Sequence, residues 1–167
     1  EDAKPTLLFA ISHFEQQHYA DYIAALQQDY PFIQRIVALA EPMNDCQPFA
    51  DFLALADEVN PQQLADRQHT IDTQDPALLV YTSGSTGKPK GALLSHYGLC
   101  FGAAVQHQHF QVKQPRIACS FPINHVACVA DTCCVNLVAG GTLLLQERFD
   151  AGAQLKAIDK ERLSILG

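Results

Sequence analysis

The sequence predicts an α/β fold, a three-layer α/β/α sandwich built on a mostly parallel sheet. Short apolar runs alternate along the chain with segments whose apolar residues recur at helical spacing. The runs are continuous, as in strands buried on both faces, and do not alternate apolar with polar. Strands of that kind need helices on both sides, which makes three layers.

The first run, residues 6–11 (TLLFAI), reads as a strand. Tyr19, Tyr22, Ile23, Leu26 and Tyr30 then fall on one helical face, and Pro31 ends that helix. Residues 36–39 (IVAL) are the second strand, after which Phe49, Phe52, Leu53 and Ala56 return to helical spacing. Residues 60–74 are polar and read as a loop opened by the turn signal Asn60-Pro61. Residues 77–81 (ALLVY) are a third strand, leading into a Gly/Ser/Thr-rich stretch. Ser95 suits the N-cap of a helix running through Leu99, Ala103 and Ala104. Residues 116–121 (RIACSF) form another strand. Residues 126–138 are apolar enough for a buried helix, which Gly140-Gly141 ends. Residues 142–145 (TLLL) are a strand, Ala151, Leu155 and Ile158 mark a helix, and LSIL at 163–166 closes the pattern as a sixth strand.

Composition narrows the class. The 167 residues suit a single α/β subdomain spanning residues 1–167. Glu1 as first residue, Met43 as sole methionine and an apolar run at the end together read as a piece of a larger domain. A net charge of −7 argues against nucleic acid as partner. No run reaches the ~18 apolar residues of a membrane span, and no signal sequence opens the chain. The six cysteines lack C-x-x-C spacing, so they read as reduced, buried thiols of a cytoplasmic protein and as neither a zinc site nor a disulfide framework. His107 and His109, two apart on a helix, do not share a face, and His13 and His18 make a weaker metal pair still.

Charge is unevenly spread. Residues 76–130 contain no Asp or Glu but carry Lys88, Lys90, Lys113 and Arg116, whereas the remainder has a formal charge of −11. A local positive field of that kind favours an anionic ligand. Inside it lies Thr82-Ser83-Gly84-Ser85-Thr86-Gly87-Lys88-Pro89-Lys90-Gly91. Glycines allow positive φ and close backbone approach, and successive N–H groups in such a turn make an anion nest. Four hydroxyls and two ammonium groups add donors and charge suited to phosphate oxygens. The stretch is expected to follow a strand and precede a helix. It is not a G-x-x-x-x-G-K-[ST] loop, since Thr82 stands where the first Gly belongs and Pro89 follows Lys88. Nor is it a dinucleotide fingerprint, because position 82 is not Gly.

From Tyr81 through Gly91, and on to Ser95-His96, the chain resembles the signature [YF]TSGSTGxPKGxxxSH of the adenylate-forming superfamily, matching every defined position. That superfamily holds acyl-CoA synthetases, adenylation domains of peptide synthetases and luciferases. Phe121-Pro122-Ile123-Asn124-His125-Val126-Ala127 resembles the family's following P-x-x-H segment, with Asn124 where an aromatic is frequent and Cys128 where Gly is frequent. The resemblance covers residues 75–167 well, and residues 1–74 in pattern only.

The resemblance implies the fold of a Rossmann-like or flavodoxin-like subdomain in the superfamily's N-terminal domain. It also implies an ATP-dependent acid–thiol ligase of the acyl-CoA synthetase kind. A carboxylic acid attacks the α-phosphate of ATP, pyrophosphate leaves, and the acyl adenylate passes its acyl group to coenzyme A or a phosphopantetheine thiol. On this basis Thr82, Ser83, Gly84, Ser85, Thr86, Gly87, Lys88 and Lys90 are the expected phosphate-binding residues. Within that set Lys90 outweighs Lys88, which occupies the variable position. His125 is the expected catalytic residue beside the acyl pocket, and His96 is structural. No metal ligand is expected within the chain, the Mg2+ ligand and the ribose-binding Asp lying downstream, as does the lid Lys. The isolated chain is therefore expected to be inactive. Two other readings stay open: an adenylation domain loading a carrier protein, and a non-catalytic anion-binding or interaction module.

Overall fold

A computed structural model describes residues 3–83 and 87–166. The chain divides into two compact units, Glu1–Ile71 and Asp72–Gly167.

In the first unit, β1 (Leu7–Ala10), β4 (Arg35–Ala38) and β5 (Gln47–Pro48) form a parallel sheet in the order β1-β4-β5. The pairing Leu8↔Ile36 sets its register. Between β1 and β4 lie a two-stranded hairpin, β2 (His13–Phe14) with β3 (Gln17–His18), and the helix α1 (Ala20–Asp29). Most of the expected apolar stripe of α1 faces inward, Tyr22 staying exposed: buried Ile23 joins Ile33 and Ile36, with Leu8, Leu26, Tyr30 and Met43 packed around them. α2 (Phe49–Ala54) continues into a 3-10 turn, Leu55–Glu58.

Residues 60–74, expected as loop, instead carry a helix, α3 (Pro61–His69). Asn60 Oδ1 accepts from the Gln62 N–H at 2.8 Å, and Gln63 Oε1 accepts from the Asn60 N–H at 3.2 Å. This reciprocal cap, with Pro at the first helical position, starts a helix that has no apolar face to betray it.

In the second unit, β6 (Pro76–Thr82) pairs antiparallel with β7 (Lys90–Ser95). α4 (His96–Phe110) follows directly, and Ser95 caps it, its Oγ accepting from the Gly98 N–H at 3.1 Å. The glycine-rich stretch therefore joins two strands of a hairpin. This corrects the expected strand–loop–helix order: Gly91-Ala92-Leu93-Leu94 pairs back onto β6 before the helix begins.

β8 (Arg116–Cys119), β9 (Thr142–Leu145) and β10 (Ile165–Leu166) form a parallel sheet in the order β10-β8-β9. β8 reaches β9 through a π-helical segment, Ala127–Cys134, and α5 (Val135–Ala139), while α6 (Ala151–Glu161) leads to β10. The strand order reverses direction at β9, so right-handed crossovers put α5 and α6 on opposite faces. That is the layered α/β arrangement expected from the sequence. Ile117, Ala118, Cys119, Cys128 and Val135 are buried at its centre.

Gly140 ends α5 at φ +62, and Gly141 leaves no room for a side chain. A Cβ there would lie 2.3 Å from the Pro115 carbonyl oxygen and 2.5 Å from Asn136 Oδ1. Arg116 binds the C-terminal end of α6, bonding the Glu161 carbonyl through Nε and lying 3.5 Å from its carboxylate. No helix among the described residues is long and apolar enough to cross a membrane.

Candidate functional site

The hairpin of β6 and β7 presents the glycine-rich stretch. Its last rung pairs Thr82 with Lys90, where the Thr82 hydroxyl reaches the Lys90 carbonyl at 3.5 Å. One rung back, Tyr81 faces Gly91. A Cβ on Gly91 would lie 2.9 Å from Leu79 Cδ1 and 3.4 Å from the Tyr81 ring, so glycine makes room for that ring. Gly87 has φ +80, and no atom of the described residues stands within 4 Å of where its Cβ would lie, so it is the backbone conformation that calls for glycine. Ser83, Lys88 and Lys90 are exposed, and among the described residues neither lysine is in an ion pair. Gly84, Ser85 and Thr86 lie outside the described residues.

His125 follows β8 in a turn closed by its own N–H, which donates to the Pro122 carbonyl at 2.9 Å. Its ring stacks on Phe121, centres 6.2 Å apart and planes 26° from parallel. Nδ1 accepts from the Ala127 N–H at 3.2 Å. A neutral imidazole with Nδ1 accepting carries its proton on Nε2, which can then donate to a carboxylate or carbonyl oxygen.

Ile123, Asn124, His125 and Val129 meet residues 78–81 of β6 around a cavity of about 280 Å³. The structure thus brings the expected catalytic histidine against the strand that leads into the expected phosphate loop. Among the described loop residues, Thr82, Ser83, Gly87, Lys88 and Lys90 do not line this cavity. Sequence reasoning missed the contribution of Leu78, Leu79, Val80 and Tyr81, because a continuous apolar strand does not show which face borders a cavity.

Directly after His125 the helix is wound as π. The Thr132 hydroxyl donates to the Ala127 carbonyl five residues back at 2.8 Å, helping satisfy a carbonyl in the widened turn. Gln106 of α4 donates to Asp131 Oδ1 at 3.1 Å, tying the two helices together. His96 is the first residue of α4, and its N–H donates to the Asp75 carbonyl at 3.2 Å.

The thiols nearby are suppressed. Burial, then hydrogen bonding with Cys119 and Cys133, pushes Cys128 up to about 12, and burial raises Cys134 as well. All six cysteines are free thiols, and Cys100 is exposed.

A family model described as "AMP-binding enzyme" matches residues 1–167. Feruloyl-CoA synthase of an Amycolatopsis species is 37% identical over 99 residues, 58% of this chain and 20% of that protein. Indoleacetate–CoA ligase of Aromatoleum aromaticum is 39% identical over 100 residues, 59% of this chain and 20% of that protein. Among solved structures, apo MatB from Rhodopseudomonas palustris superposes with a TM-score of 0.73 at 24% identity, covering 99% of this chain and 30% of that one. The likeness to that structure is one of fold. The chain spans about a fifth of the length of the curated relatives it matches.

Proposed function

Because the chain belongs to the AMP-binding enzyme family, we propose that it supplies the phosphate loop and part of the acyl site of an ATP-dependent acid–thiol ligase. Residues 1–167 would form one part of a larger AMP-binding domain. The observation that carries this reading is the paired mouth of the hairpin. Thr82 and Lys90 stand opposite each other there, with Lys88 exposed close by and, among the described residues, in no ion pair. Hydroxyls, N–H groups and ammonium groups converging on one turn suit the β- and γ-phosphates of ATP.

The chemistry asks for two things. The carboxylate must meet the α-phosphorus in line, and the departing pyrophosphate must be stabilised. Lys90 and Lys88 would hold the charge that grows on pyrophosphate, with Thr82, Ser83, Ser85 and Thr86 donating to its oxygens. His125 would donate from Nε2 to the acid at the cavity it lines. Coenzyme A is the favoured acceptor, in keeping with relatives named as CoA ligases. Magnesium would reach the site with ATP. The stretch of residues 76–130 offers it no carboxylate, so no step here runs through the metal.

Acid-dependent ATP–pyrophosphate exchange by the whole protein tests the reading, using aryl and short aliphatic carboxylic acids. Exchange that needs both acid and Lys90 is the expected result. Exchange indifferent to the Lys90 side chain would remove the phosphate-loop assignment.

A further inference from the structure

Away from this site, the short hairpin of the first unit brings two histidines face to face. Its turn is Glu15-Gln16, with Glu15 at φ 53. Residues five apart in sequence thereby become direct cross-strand partners, and His13 pairs with His18. Directly opposed residues project from the same face of the ribbon. The two imidazole centres lie 6.0 Å apart with planes tilted by 36°. Two imidazoles bound side by side to one metal through nitrogens at about 2.0–2.1 Å have ring centres roughly 4.5–5.5 Å apart. Side-chain rotation that closes the rings by about 1 Å would reach that geometry.

Hydrogen bonds decide which nitrogen of His13 is available. The Ser12 hydroxyl donates its single proton to Glu41 Oε2 at 3.2 Å. At its 3.0 Å contact with His13 Nδ1 the same oxygen must therefore accept, so the ring proton sits on Nδ1. The Nε2 lone pair is left for a ligand. The Glu41 carboxylate also lies 3.6 Å from Nδ1. A metal-ligating histidine commonly donates its other N–H to a nearby oxygen, which fixes the ring and raises its basicity. Both histidines are exposed.

We propose that His13 and His18 form a two-nitrogen chelate for a divalent transition metal of the kind imidazole favours, such as Ni2+ or Zn2+. Water fills the remaining positions. Among the described residues no group of three or more His, Cys, Asp or Glu is arranged around a metal, so the site is open and exchangeable. A bound ion ties the two strands together and stabilises the folded hairpin by mass action.

The test is a titration of Ni2+ into the untagged chain, followed by calorimetry and by 15N amide spectra. The expected result is one saturable site whose paramagnetic broadening begins at residues 12–19. His13→Asn and His18→Asn should each weaken binding by about tenfold or more, and Ser12→Ala by less. A variant carrying His107→Asn and His109→Asn should bind as the parent does. Amide spectra of the variants without metal establish that each is folded. Broadening centred on another segment, or affinity that survives both His13→Asn and His18→Asn, would overturn the proposal.

Discussion

Lys90 is paired with Thr82 on the hairpin rung that opens the proposed phosphate loop. Replacing it with alanine should lower acid-dependent exchange by roughly a hundredfold, the usual scale for losing one preorganised partner of a developing charge. Lys88→Ala should cost less. Gly91 and Gly141 differ in what a methyl would strike. On Gly91 it meets the flexible end of Leu79, whereas on Gly141 it meets the backbone oxygen of Pro115 at 2.3 Å. Gly141→Ala should therefore cost about 3 kcal/mol or more in urea unfolding, and Gly91→Ala distinctly less. Cys128 gives a pH signature. Its folded value of about 12 lies above the unfolded thiol, near 8.5, so the unfolded chain loses that proton first. Stability is full below the unfolded value and falls as pH rises from about 8.5 toward 12. Urea midpoints measured from pH 7 to 10 should decline, and Cys128→Ala should flatten part of that decline. Some slope remains, because Cys46 and Cys134 are raised too.

At the scale of elements, the caps carry testable energy. Asn60→Ala removes the reciprocal cap of α3 and should cost about 1 kcal/mol, as should Ser95→Ala at α4. These two positions also show how far the sequence could be read. Ser95 was legible because an apolar run follows it. Asn60 was not, since Gln62, Gln63, Asp66, Arg67 and Gln68 leave α3 polar on nearly every side and periodicity has nothing to detect. Asn60-Pro61 with Gln63 three residues on was the available signal. β7 escaped for another reason: its apolar run is short and merges with the helix signal at Ser95. The hairpin of β2 and β3 escaped because a two-residue turn at Glu15-Gln16 has neither Gly nor Asn to announce it. The six apolar strands, by contrast, were legible as continuous apolar runs, although only β4 and β8 are largely buried. The proposed phosphate loop could be singled out because its hydroxyls, glycines and lysines sit in consecutive residues. The cavity beside His125 was not, because strand and turn meet there from positions more than forty residues apart.

For the whole molecule, charge and length set the expectations. The acid-free stretch has four basic residues, but Arg116 is engaged by Glu161 at the end of α6. The positive charge carried by the loop itself therefore rests on Lys88 and Lys90. The isolated 167-residue chain spans a fifth of its relatives and should release no pyrophosphate from ATP with any acid in a panel, as read by a coupled phosphate assay. Clear turnover would mean that residues 1–167 suffice for chemistry that the reading above assigns to a larger domain.

The hairpin also makes a tether. Six rungs zip β6 to β7 and hold the two ends of the intervening segment together, like the clasp of a macrocycle. Ring closure is thus settled by the strands, and lengthening the ring adds only a logarithmic entropy, about 0.6 kcal/mol per doubling. Two extra glycines placed after Pro89 should barely shift the melting temperature while ruining the fit to a triphosphate. Foldedness and nucleotide handling would then come apart in one variant.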